Sequence, residues 1–424
     1  MTDQTRSGAQ TPGPLILVLN GGSSSIKFSV FELGPAARGR ALRRRLHGTL
    51  DAVGQAMPRL RFSDVHGDRH EEECPAAVDP PAAATALLDW LGAQMKFDML
   101  TAVGHRIVHG MQRSVPEVVT PALVDALRRL EWADPDHLPG EIALIEAVRA
   151  RAPSLSQVAC FDTAFHREMP RVARLMAVPA RLQAQGVQRY GFHGLSYAYL
   201  VEELERVAGR AAAHGRVILA HLGNGASMAA VHGAQSLDTS MGFTPASGLP
   251  MGTRSGDIDP GLALFLERSE GMTPRRFDQM VNHESGLMGV SQTSSDMREL
   301  LAAEASDPRA ADAVALFCYE AKKCIGAYAA ALGGLDSLVF AGGIGEHAPP
   351  VRERICAGLG FLGIALDAAR NAADAGVISS EISRVTVRVI RTDEELMIAR
   401  SVALVLGHAP PPEAAGWPNG RPKG

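Results

Sequence analysis

Between Met241 and Gly261 the sequence MGFTPASGLPMGTRSGDIDPG holds five glycines, three prolines and a single cation, Arg254. Long segments without helix or strand periodicity inside a globular chain are usually functional or disordered. Met241, Phe243, Leu249 and Met251 supply apolar anchors, which favours an ordered functional loop. A guanidinium held between a glycine turn and a helix start is a planar fork for an anion such as a phosphate or carboxylate. Three further residues have the chemistry to work with it. Arg106 sits in GHRIVHG, Asp162 directly follows a strand-like run, and His193 lies between glycines in YGFHG. Read one by one, Arg106 needs an anionic partner, Asp162 stands at the strand edge where open α/β sheets place ligands, and the glycines can turn the His193 imidazole into a cleft. Each has a plainer reading too: a surface arginine, a buried histidine or an internal ion pair.

The elements that must position these groups can be read from apolar patterning. Leu15 to Leu19 is a continuous apolar strand. It breaks at Asn20-Gly21-Gly22-Ser23-Ser24-Ser25 and resumes as the alternating strand Ile26 to Phe31. The turn offers backbone N–H groups and hydroxyls to a phosphate, although an ordinary Asn-Gly hairpin has the same sequence. Strand Val217 to Leu222, turn Gly223-Asn224-Gly225-Ala226-Ser227 and the strand after it repeat that plan about 200 residues on, which suggests two halves of one design.

Helices are expected over Ala82 to Met95, Thr120 to Trp132, Glu141 to Ala150, Ser196 to Val207 and Ala311 to Leu332, and from Pro274, Asp296 and Pro350. Another should follow the central loop, with Asp259 as N-cap and an apolar face of Leu262, Leu264, Phe265 and Leu266. Strands are expected at Ala102 to Gly110, Gln157 to Phe161, Ser337 to Phe340 and Val385 to Ile390, with weaker signals at Leu42 to Thr49 and Arg59 to Phe62. Ala341-Gly342-Gly343-Ile344-Gly345-Glu346 reads as a glycine loop between strand and helix, open to a nucleotide but without the Lys-Ser/Thr end of a P-loop. Thr392 and Glu395 have capping-box spacing. Residues 1 to 14 and the Pro/Gly-rich stretch from His408 are expected to be disordered tails.

Bulk properties narrow the class. With 424 residues, 46% of them apolar, the chain can form two or three domains with sizeable cores. A net charge of -4 gives no general attraction to nucleic acid or anionic membrane. Five cysteines without CxxC spacing suit a reducing compartment. The opening residues lack the apolar core of an export signal, and no uncharged apolar run reaches the roughly 18 residues of a membrane span. A soluble cytoplasmic protein is expected.

The ordered runs LNGGSSSIKF, VGHRIVHG, FDTAFH, YGFHG, HLGNGAS, MGFTPASGLPMGTRSGDIDPG, ESGLMGVSQTSSDMREL, GGIGE and TDEELMIAR resemble the successive motifs of the acetate kinase family over roughly residues 15 to 405. The resemblance implies an α/β fold of duplicated ribonuclease H-like domains, as in actin-like ATPases, around a central nucleotide cleft. It places the first domain at 1 to 162 plus 396 to 424 and the second at 163 to 395, in a homodimer. It implies Mg-dependent phosphoryl transfer between ATP and acetate. Asp162, His193, Arg254 and Arg106 match the catalytic positions. The acyl pocket falls on Arg106, Val108, Phe192 and Pro245, with His137 beside it. Nucleotide contacts fall on Lys27 and on His221, Leu222, Gly223, Asn224 and Gly225. Further ones fall on Asp296, Met297 and Arg298, and on Gly343, Ile344, Gly345, Glu346 and His347. Asn20 and Glu394 match the magnesium site, where Mn2+ could also serve.

The chain departs from the family pattern at Asp136-His137-Leu138-Pro139, at Leu195-Ser196-Tyr197 after FHG, at His347 and at Asp393. These positions bear on acyl and nucleotide preference more than on reaction type. The readings that compete are a propionate or butyrate kinase, a sugar kinase of the same superfamily, and an actin-like or chaperone-like ATP switch.

Overall fold

The computed structural model describes residues 13–22, 25–34, 41–51, 53, 58–64, 66–74 and 77–407. The expected tails fall outside these residues except for Gly13 and Pro14, as do Ser23 and Ser24 of the first turn. The chain divides into two compact units. The first takes in the described residues of Met1–His109, Val115–Phe161 and Glu395–Pro411, and the second those of Gly110–Ser114 and Asp162–Glu394.

The first unit is built on an eight-stranded sheet of β1 (Leu15–Gly21), β2 (Ser25–Leu33), β3 (Leu42–Asp51), β4 (Arg59–Ser63), β5 (Arg69–Glu73), β6 (Leu100–Ile107), β7 (Glu117–Val118) and β8 (Ser156–Phe161). Its order is β5-β4-β3-β2-β1-β6-β8-β7. β1 is buried along its whole length, as its unbroken apolar run requires. It pairs antiparallel with β2, Leu17 opposite Val30, and parallel with β6, where Leu17 faces Val103. Helix Pro80–Gln94, capped by the Asp79 carboxylate on the Ala82 N–H, lays Leu87, Leu88 and Leu91 on a core with Phe28, Leu50 and Val148. Leu→Ala at such sites costs about 2–5 kcal/mol. The closing helix, Glu394–Val405, packs on β6 so tightly that a Cβ on Gly104 would lie 2.5 Å from Ile398 Cγ2.

The second unit carries a five-stranded sheet of β9 (Val217–Leu222), β10 (Ala226–His232), β11 (Gln235–Thr239), β12 (Ser337–Ala341) and β13 (Thr386–Val389), in the order β11-β10-β9-β12-β13. β9, β10 and β11 run antiparallel, and β12 and β13 continue parallel to β9. The first sheet contains the same sequence of pairings in β3-β2-β1-β6-β8. The repeated plan seen in two short hairpins therefore extends to five strands in each unit.

Several local expectations are corrected. The GGIGE stretch is helical, Gly342–His347, its first N–H held by the Glu346 carboxylate and its Gly345 carbonyl by Arg352. Thr392 and Glu395 also have partners outside the local turn. The Thr392 N–H is held by Glu346, its hydroxyl by Ser196, and Glu395 accepts from Asn20. The helix after the central loop runs Gly261–Glu270, with Leu266 buried but Leu264 and Phe265 49% and 63% exposed. The helix from Pro121 stops at Arg128, and the next begins at Leu138. β5 has no apolar alternation; it is held to β4 by pairing and by Arg59–Glu71.

Candidate active site

In the first unit the site residues stand at the C-terminal ends of parallel strands, where open α/β sheets bind ligands. Asn20 lies near the end of β1, 5% exposed, and its Nδ2 donates to Glu395 Oε1 at 3.3 Å. Arg106, near the end of β6, donates from Nη1 to the Gly21 carbonyl at 3.2 Å, tying the first turn to the guanidinium. The next residue on that face, Val108, is buried and gives its N–H to the buried Glu141 carboxylate. His137 is committed to a buried pair with Asp134, Nδ1 to Oδ1 at 2.8 Å. His105 is a core residue: its Nε2 meets Gln157 Oε1 at 2.7 Å, and burial pushes its pKa down to about 4. Lys27 is exposed on β2.

The second unit gathers most of the rest. Asp162 is fully buried, and its carbonyl accepts from the Gly194 N–H at 2.8 Å. A Cβ on Gly194 would lie 2.1 Å from that oxygen, so only glycine lets the YGFHG turn seat there. His193 precedes it in the left-handed region, φ 58° and ψ 23°. Its Nδ1 lies 2.8 Å from Ser227 Oγ, and its ring stacks on His221 with centroids 4.3 Å apart. His221 Nδ1 in turn lies 2.8 Å from Ser196 Oγ.

Gly225 brings two of the proposed catalytic groups together. A Cβ there would meet His193 Nε2 at 3.3 Å and Arg254 Nη1 at 3.9 Å, so imidazole and guanidinium flank one glycine. The central loop is fixed to the same turn by the Gly252 N–H on the Asn224 carbonyl, 2.9 Å, and by buried Met241, Leu249 and Met251. Arg254 Nη1 also approaches the Pro245 carbonyl at 3.4 Å, and Phe192 is buried beside His193.

Other expected nucleotide contacts are held mainly by their neighbours. The Asp296 carboxylate caps the helix Met297–Ala303 and pairs with Arg298, whose guanidinium holds its pKa below the usual range. Glu346 is buried and accepts from the Gly342 and Thr392 N–H groups at 2.9 and 3.1 Å. The His347 side chain is 71% exposed.

Sequence reasoning missed three supports. Ser227 closes the HLGNGAS run, and Tyr197 is one of the departures after FHG; together they back His193. Arg352 is fully buried and uses all five N–H donors: on Asn371 Oδ1 and O, on Asp374, and on the Gly345 and Glu346 carbonyls. An arginine two residues past a proline pair gives no sign of this in the sequence.

The sequence pattern of the acetokinase family matches residues 15–400. Acetate kinase of Rhodopseudomonas palustris strain TIE-1 is 45% identical over 394 residues, 92% of this chain and 97% of that protein. The crystal structure of Porphyromonas gingivalis acetate kinase matches with a TM-score of 0.81 at 37% identity, covering 93% of this chain and all of its own. That of a propionate kinase from Francisella tularensis gives 0.83 at 34% identity, covering 92% and 98%.

Proposed function

The chain belongs to the acetokinase family, and from that membership we propose that it transfers the γ-phosphoryl group of ATP reversibly and directly to acetate, giving acetyl phosphate and ADP. The observation that carries the reading is the junction at Gly225, where His193 Nε2 and Arg254 Nη1 face the same Cα. Two cationic or hydrogen-bonding groups on one backbone turn match the charge that spreads over the equatorial oxygens of a transferring phosphoryl group.

A carboxylate acceptor, with a pKa of about 4 to 5, is already ionised at pH 7. Its oxygen attacks phosphorus as the bond to the β-phosphate oxygen breaks, and ADP leaves with the electron pair. No proton has to move, so no strong base is needed. The work left to the protein is in-line placement and charge neutralisation. Arg106 holds the acyl carboxylate, Arg254 and His193 the phosphoryl oxygens, and Asp162 acts by position and charge rather than as a base. Val108, Phe192 and Pro245 wall the acyl group. Lys27, the turn from His221 to Gly225 and the segments at Asp296 and Gly343 serve the nucleotide.

Asn20 and Glu394 are the residues that would hold Mg2+, with Mn2+ as a substitute. Both offer the oxygen donors Mg2+ prefers, and the bond from Asn20 Nδ2 to Glu395 fixes the amide that presents its oxygen. When bound, the ion would neutralise phosphate charge. Partnership with a second copy belongs to the same reading, and the exposed Leu264 and Phe265 give that copy an apolar strip to cover. The compartment is the cytoplasm, in keeping with five unpaired cysteines. A propionate preference is the one alternative with an observation behind it, the similarity to the Francisella tularensis enzyme.

The test is Mg2+-dependent conversion of ATP and acetate into an acyl phosphate trapped by hydroxylamine. Absence of any trapped product overturns the reading.

A further inference from the structure

We propose that the second unit carries an anion-binding pocket separate from the His193–Arg254 junction, shaped for a compact dianion such as inorganic phosphate, a phosphate monoester or a short dicarboxylate. The pocket, about 220 Å³, is walled by Arg113 from the 110–114 segment, Thr163 and Arg167 from the turn after Asp162, Arg174, Arg189 and Tyr190. Asp162, His193 and Arg254 do not line it. Four guanidinium groups thus share one small volume in which Glu168 is the only lining carboxylate.

Two of these groups lack the partner their burial calls for. Arg174 Nε is buried with no hydrogen-bond partner among the described residues. Thr163, only 4% exposed, likewise has its hydroxyl oxygen without one. Buried polar atoms are paired in more than about nine cases in ten, and an unpaired guanidinium N–H beside other cations is the costliest exception. An oxyanion in the pocket answers both, since its oxygens accept from the guanidinium and from the hydroxyl.

The remaining arginines are placed to assist rather than to compete. Arg189 is anchored by Asp238 at 2.9 Å and by the Ala173 and Thr239 carbonyls, so it forms a fixed wall. Arg167 reaches Glu168 and the Ser114 and Ala164 carbonyls at 3.3 to 3.5 Å, which holds a further guanidinium at the pocket wall. His166 adds no charge. Its two ring nitrogens meet Ser236 Oγ and the Phe192 carbonyl, and burial keeps it neutral at pH 7. Through those bonds, and through the Thr163–Asp162 peptide link, occupancy of the pocket is connected to both Asp162 and His193.

The experiment is equilibrium dialysis of the full-length chain against labelled inorganic phosphate, with Arg174→Gln and Arg113→Gln beside the parent. Loss of one charge-assisted contact should weaken phosphate binding about tenfold or more in each variant, while labelled ATP binds all three alike. Two variants on separate segments keep the test standing if one fails to fold, which its thermal midpoint in phosphate-free buffer reports. Displacement of the label by methyl phosphate alone would assign a phosphoryl ligand, and displacement by succinate as well a dicarboxylate. Equal phosphate affinity in the parent and both variants, or binding that sulfate and chloride abolish alike, would mean an adventitious ion only and overturn the proposal.

Discussion

His193 and Ser227 are joined by a 2.8 Å contact between the imidazole Nδ1 and the serine Oγ, and the Tyr197 hydroxyl lies 2.5 Å from that same oxygen. The serine fixes a ring whose backbone sits in the left-handed region, a conformation that costs a non-glycine residue about 1–2 kcal/mol. The ring is thereby held with Nε2 towards Gly225 and the Arg254 side.

Ser227→Ala removes that support and leaves the ring free to swing. A displacement of the order of 1 Å can cost up to about a hundredfold in rate, so kcat should fall roughly ten- to a hundredfold with the ATP KM little changed. Steady-state kinetics in both substrates check this; an unchanged kcat would mean that Ser227 does not position the imidazole.

Arg254→Ala should lower kcat by about 10³ or more, as for a guanidinium that stabilises the transferring phosphoryl group. The side chain is half-buried on a loop pinned by backbone bonds on both sides, so the fold should survive. A variant within tenfold of the parent would remove Arg254 from the chemistry.

Arg352→Leu should destabilise the second unit by about 3–5 kcal/mol, because it leaves Asp374 and four carbonyl-type acceptors without their buried donor. Chemical denaturation gives the figure. Since Arg352 also ties the Gly345 and Glu346 carbonyls, the surviving fold should show a raised KM for ATP and an unaltered KM for acetate.

His105 and His166 each have a pKa near 4 in the folded chain, against about 6.5 unfolded. Between those values the unfolded chain binds protons that the native histidines refuse. Their contribution is therefore fully present above about pH 6.5 and is lost as pH falls towards 4, at up to about 1.4 kcal/mol per pH unit for each. Urea unfolding at several pH values should show that slope, and His105→Gln should reduce it. A slope unchanged by the substitution would assign the acid sensitivity elsewhere.

What the sequence made legible was whatever local pattern decides. The apolar runs at Leu15 and Val217 could only be buried strands, and the Asn-Gly turns after them fixed the hairpins. The helix at Gly342–His347 was not legible, because three glycines in six residues read as loop, whereas side-chain bonds from Glu346 and Arg352 close the turn. Thr392 and Glu395 had the spacing of a local cap, and nothing in that spacing announced their distant partners Ser196, Glu346 and Asn20. In the site, residue types and order pointed to Asp162, His193 and Arg254. Their supports are ordinary serines, tyrosines and arginines whose partners lie up to 34 residues away in sequence, as Ser227 does from His193.

The most direct measurement is the yield of hydroxylamine-trapped acyl phosphate from ATP and Mg2+ across formate, acetate, propionate and butyrate. Acetate should give the highest kcat/KM. That result would also mean that Asp136 does not intrude on the acyl pocket. No product with any of the four acids, together with phosphorylation of a sugar or slow ATP hydrolysis indifferent to acetate, would contradict the account.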